Sequence, residues 1–72
     1  MKNQTTLNAK AIKKYRIAKG WSVADLAKRL KTTRQMIYFY ENGTYVPPPK
    51  KLGKIAKLLG VKPLELLQDT GE

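Results

Sequence analysis

Apolar residues recur at steps of three and four along four stretches of this chain, and each stretch closes on a glycine or a short polar break. Ile12, Tyr15 and Ala18 form the first stripe, which runs from Ala9 and stops at Gly20. That spacing draws one apolar line along a helix, and glycine accepts the left-handed backbone of a helix end. Asn8 stands where a cap is expected. Ser22-Val23-Ala24-Asp25 supplies a second start, since the serine can accept from the third amide and Asp25 sits over the positive helix end. Leu26, Ala27 and Leu30 are its inward positions. Lys31-Thr32-Thr33 then breaks the pattern with Thr33 as the next cap, so a third helix is predicted from Arg34 to about Asn42, stopped by Gly43.

The run Pro47-Pro48-Pro49 drives Val46, Pro47 and Pro48 toward extended backbone, and Pro49 suits a first helical position. Leu52, Ile55, Ala56 and Leu59 recur behind it until Gly60 ends a fourth helix. Val61-Lys62-Pro63 leads into a fifth, short helix dense in leucine: Leu64, Leu66 and Leu67. No strand pattern, repeat or low-complexity segment is visible. Residues 1–8 read as a flexible arm, 9–67 as the folded domain and 68–72 as a tail. With 72 residues, the chain has room for one small all-α domain near the lower size at which a core sustains itself.

Charge changes this picture more than composition does. Fifteen Lys and Arg face five Asp and Glu, a net charge of +10, which favours a polyanionic partner and sets copies of the chain against one another at long range. Nucleic acid is the first candidate. The basic residues cluster at Lys10 to Lys19, Lys28 to Arg34 and Lys50 to Lys62. Within these, Lys10, Lys13, Lys14, Lys28, Arg29, Lys50, Lys51 and Lys54 read mainly as solvated face, with about a third touching phosphate if one face is used. The absence of Cys and His excludes disulfides and Cys/His zinc sites. No cofactor is implied. With no phosphate-cradling glycine loop and no acid pair, no catalysis is expected. No membrane segment or secretion signal is visible, and a cytoplasmic location is expected.

The third helix carries the sharpest chemistry. At about 100° per residue, Ile37, Tyr40 and Glu41 share one side while Arg34, Gln35, Tyr38, Phe39 and Asn42 share the other. The short break between the second and third helices is that of a helix-turn-helix. Arginine donates twice to guanine and glutamine pairs with adenine, so Arg34 and Gln35 in the first turn suit base edges. The series Ile12, Tyr15-Arg16, Lys19-Gly20-Trp21-Ser22, Leu26-Ala27, Leu30, Thr33-Arg34-Gln35, Ile37, Tyr40-Glu41-Asn42-Gly43, Pro47, Leu52, Ile55-Ala56, Leu59-Gly60-Val61, Leu66-Leu67 resembles the phage-repressor and Cro class, also called Xre-like.

That resemblance implies a five-helix, lambda-repressor-like fold. It places Arg34, Gln35 and Phe39 toward bases, with Tyr38 on the same outward side by the helical period; Thr33, Asn42, Gly43, Thr44 and Tyr45 go toward phosphates, as do Ser22 and Val23 at the start of the helix that lies across the DNA backbone, and these contacts set register rather than sequence. It implies an internal ion pair between Arg16 and Glu41, an apolar plug at Trp21, and pairing of two copies through Leu64, Leu66 and Leu67 on an inverted repeat. The chain departs from the pattern at Val23, where glutamine is usual, and at Phe39, where a polar reader is common. Gly53 interrupts the fourth helix at a cost of about 1 kcal/mol relative to alanine, which hints at close approach by another backbone. The resulting expectation is a sequence-specific double-stranded DNA-binding regulator, a repressor without a ligand-sensing domain, bacterial or phage in origin, and a homodimer on DNA. The alternatives are an antitoxin-like module with a protein partner and secondary operator binding, or a non-specific architectural protein. Lys2 and Asn3 of the arm are placed to reach a groove.

Overall fold

Two capping residues set the central elements of the structure, a computed structural model that describes residues 5–7 and 9–69. The Ser22 hydroxyl accepts from the Asp25 amide at 3.1 Å while the Ser22 amide donates to the Asp25 carboxylate at 2.8 Å, a reciprocal capping box. It starts helix α2, Val23–Leu30. Thr33 accepts from the Met36 amide at 3.1 Å and starts α3, Arg34–Asn42. Before them runs α1, Ala9–Ala18, and after them α4, Pro49–Leu59, with proline at its first position. The expected cap Asn8, and Lys2 and Asn3 of the arm, lie outside the described residues.

The turn between α2 and α3 depends on Lys31, which holds a left-handed φ of 61° and donates its amide to the carbonyls of Ala27 and Lys28. A side chain there carries a steric cost that glycine avoids. α3 and α4 close on Gly43 and Gly60 in the same conformation. The fifth helix is a single 3₁₀ turn, Pro63–Leu66.

The sequence showed no strand, yet the structure has two. Thr5–Leu7 forms β1 and Leu67–Asp69 forms β2, paired antiparallel with Thr5 opposite Asp69 and Leu7 opposite Leu67. Strands this short have no alternating pattern to read, and their pairing is decided by where the helices leave the two chain ends. The arm expected over residues 1–8 therefore contains a strand, and its partner runs across the boundary expected between the domain and the tail.

Every helical element contributes to one core. Ile12 from α1, Leu26 and Leu30 from α2, Ile37 from α3, Ile55 from α4 and Leu66 from the 3₁₀ turn are its largest enclosed side chains. Tyr15, Trp21, Val23, Met36 and Leu52 pack around them, half-buried. α1 and α2 both pack on α3, so the latter keeps only one free face.

Gly53 does not fit the reason suggested by the sequence. A Cβ there would meet nothing within 4 Å, so among the described residues no other segment approaches it. Gly53→Ala is therefore expected to stabilise the fold by about 1 kcal/mol, since alanine is the better helix former. A thermal melt should rise by about 4 to 8 °C for a domain of this size; an unchanged or lower midpoint would contradict the open space seen around Gly53.

Candidate nucleic-acid interface

The free face of α3 is polar at its start and aromatic further on. Arg34 and Gln35 are exposed in the first turn, directly after the capping Thr33, and Tyr38 follows one turn later with 56% of its surface exposed. Ile37 and Tyr40 point into the core, as the helical period dictates. Phe39 is half-buried. Its ring meets Tyr45 edge to face, with centroids 4.9 Å apart and planes at 79°, so it braces the following loop as well as bordering the exposed face.

That loop is shaped by its own hydrogen bonds. Asn42 Oδ1 accepts from the Thr44 amide at 2.9 Å and from the Thr44 hydroxyl, a local turn of the kind asparagine favours. The Tyr45 amide donates to the Phe39 carbonyl at 3.3 Å. Thr44, Tyr45 and Val46 stay exposed. At the start of α2, Ser22 is exposed while the Val23 side chain packs on the core. Val23 therefore offers an anion only its backbone amide, one of the first-turn N–H groups that lack a helical acceptor.

Behind this face, Arg16 ties three segments together. Its Nε donates to Glu41 Oε2 at 2.6 Å, Nη2 donates to Glu41 Oε1 at 3.2 Å, and Nη1 donates to the Trp21 carbonyl at 2.8 Å. Both charged side chains are more than nine-tenths buried. It is the one ion pair among the described residues. The guanidinium thus links α1, α3 and the turn into α2, and fixes the angle at which α3 is presented.

The structure adds contacts the sequence did not disclose. Trp21 packs against the core but keeps part of its ring outside, where the Arg29 guanidinium lies 4.3 Å from the ring centre and Lys19 Nζ 5.6 Å away. The expected buried plug is instead half-exposed and cation-stacked. No periodicity links residues 19, 21 and 29, so only the fold reveals them. The expected pairing surface is also corrected: Leu66 is fully buried in the core, Leu64 is 71% exposed and Leu67 is half-buried.

The Asp25 carboxyl is more acidic than an ordinary aspartate. The Ser22 amide, and after it the Ser22 hydroxyl, holds its carboxyl below the usual range; desolvation opposes this, and the charges of Arg29 and Lys28 add lesser lowering. The folded protein thus binds this proton less readily than the unfolded chain. The capping box stabilises fully at neutral pH, and this contribution fades as pH falls through the carboxylate range. Melts of wild type and Asp25→Asn should differ at neutral pH and converge in acid; a constant difference would remove the carboxylate from the account.

Residues 12–66 match a family model described as helix-turn-helix. The chain is similar to multiprotein-bridging factor 1 of Schizosaccharomyces pombe, 41% identical over 54 residues, covering 75% of this chain and 36% of that protein. It spans about a third of that relative's length. It is also similar to an uncharacterized helix-turn-helix-type transcriptional regulator of Methanocaldococcus jannaschii, 45% identical over 51 residues, 71% of this chain and 77% of the other. Among solved structures, SinR, a master regulator for biofilm formation crystallised with DNA, superposes with a TM-score of 0.71 at 26% identity, covering 79% of this chain and 92% of the chain in that crystal.

Proposed function

We propose that this chain, which belongs to the Xre-like helix-turn-helix family, is a sequence-specific duplex-DNA-binding regulator that represses transcription by occupying its operator. The observation that carries this reading is the first turn of α3. Arg34 and Gln35 stand exposed there, with Tyr38 one turn on, on a helix whose opposite side is locked into the core. Those side chains suit guanine and adenine edges in the major groove, and Tyr38 suits apolar contact with a thymine methyl. Thr33, the first-turn amides of α2 and the loop from Asn42 to Tyr45 border the same face and would hold phosphates. SinR, whose fold matches, was crystallised with DNA.

Two copies on an inverted repeat would place their reading helices one duplex turn apart, about 34 to 36 Å. Leu64 and Leu67, rather than the buried Leu66, are the residues available for that pairing. A protein partner at the reading face is the second reading. Exposed Tyr38, Tyr45 and Val46 favour it, as does a relative named as a multiprotein-bridging factor.

Selection of bound duplexes from a random pool at near-physiological salt tests the first reading. Enrichment of an inverted repeat supports a sequence-specific dimeric regulator. Binding without enrichment, fading as salt rises, would overturn it.

A further inference from the structure

α4 is built against its own electrostatics. It holds Lys50, Lys51, Lys54 and Lys57 within eleven residues and contains no acid. Lys50, Lys54 and Lys57 follow one another at spacings of three and four on the face opposite Ile55, Ala56 and Leu59, where like charges repel. Lys50 and Lys51 sit in the first turn, at the positive end of the helix dipole, and Pro48 supplies no side-chain acceptor there. No carboxylate among the described residues pairs with any of them. Lys50, Lys51 and Lys54 stand around an open depression of about 370 Å³.

Gly53 lies among these lysines, and no contact among the described residues requires it. A helix interior that breaks two local rules with no internal compensation marks a place where something external supplies it. The missing side chain leaves room for a close approach, and the lysines call for negative charge. A protein surface would also need an apolar or aromatic anchor. The large exposed apolar residues, Ile17, Tyr38, Tyr45, Val46 and Leu64, all lie on other elements.

We infer that the Lys50, Lys54 and Lys57 face of α4, with Gly53 set into it, is a second phosphate-contacting surface along which a duplex backbone lies beyond the bases facing α3. It rests on the duplex-DNA reading above and adds a sequence-indifferent share of the affinity. Residues 43–48 carry the chain from the end of α3 to the start of α4, through the loop already bordering the reading surface.

The test compares Lys50→Gln/Lys54→Gln/Lys57→Gln, the corresponding triple arginine variant, Gly53→Ala and Gly53→Gln with wild type. Each is titrated with the selected operator and with an unrelated duplex of equal length across a salt series, after circular dichroism and melting confirm the fold. The glutamine triple variant should weaken both duplexes by the same factor and make the log–log salt slope shallower by about 2 to 3, given about 0.9 per phosphate contact. Arginine should restore the slope. Gly53→Gln should weaken both duplexes more than Gly53→Ala, although both remain folded. A triple-variant slope equal to that of wild type, a loss confined to the operator, or wild-type binding by Gly53→Gln would each overturn the inference. Wild type binding both duplexes equally would instead defeat sequence-specific recognition, while the slope comparison would still decide the role of α4.

Discussion

Glu41→Ala should cost about 3 to 5 kcal/mol of stability, the range expected when one partner of a buried ion pair is removed. The substitution would leave the Arg16 guanidinium buried with only the Trp21 carbonyl as an acceptor. Small domains have stabilities of about 5 to 15 kcal/mol, so this one change would consume much of the total. The melting midpoint should fall by about 12 °C or more at about 4 to 8 °C per kcal/mol. The pair itself is not thereby shown to be favourable, because desolvating two charges offsets their attraction. Replacing both partners, as Arg16→Met/Glu41→Leu, should accordingly give a protein more stable than either single variant. An unchanged midpoint for Glu41→Ala would mean that the Arg16 charge finds water or another acceptor, and that α3 is oriented by apolar packing alone.

Arg34→Ala/Gln35→Ala should have the opposite profile, a large effect on recognition and little on folding. Both side chains are exposed, and the cap from Thr33 to the Met36 amide survives the change. A well-formed bidentate contact discriminates between bases by about 1 to 3 kcal/mol, so losing two should reduce operator preference by about 2 to 6 kcal/mol. Binding to unrelated duplex should persist with a similar salt slope, because the lysines are left in place and only one exposed cation is removed. Competition titrations with operator and unrelated duplex measure this directly. If the double variant kept its preference, the bases would be read by other side chains or through the shape of the duplex.

The four helices were legible because each has a separate local cause. The observed starts at Val23, Arg34 and Pro49 follow from Ser22, Thr33 and the proline run, all readable in order along the chain. The exposed first turn of α3 follows from the same period that buries Ile37 and Tyr40. The contact of Arg16 with Glu41 entered through a family resemblance, since no local rule joins positions that far apart. What escaped the sequence depends on tertiary placement. A dense leucine segment does not say that Leu66, rather than Leu64 or Leu67, is the member that turns into the core. Trp21 looked enclosed because its cation partners come from other segments. Gly53 hinted at an approaching backbone, and among the described residues none approaches it.

The pairing of β1 with β2 has a consequence for the order in which the molecule assembles. Thr5 lies opposite Asp69, so this ribbon joins segments almost a whole chain apart, whereas the capping box and helix turns close over a few residues. Closing a long loop loses more chain entropy than closing a short one and is compensated only when the intervening helices already hold the ends together. The ribbon is therefore a late event in folding and an early one in opening. Its amides should exchange with solvent before those of α3, reporting local release of the termini rather than loss of the core.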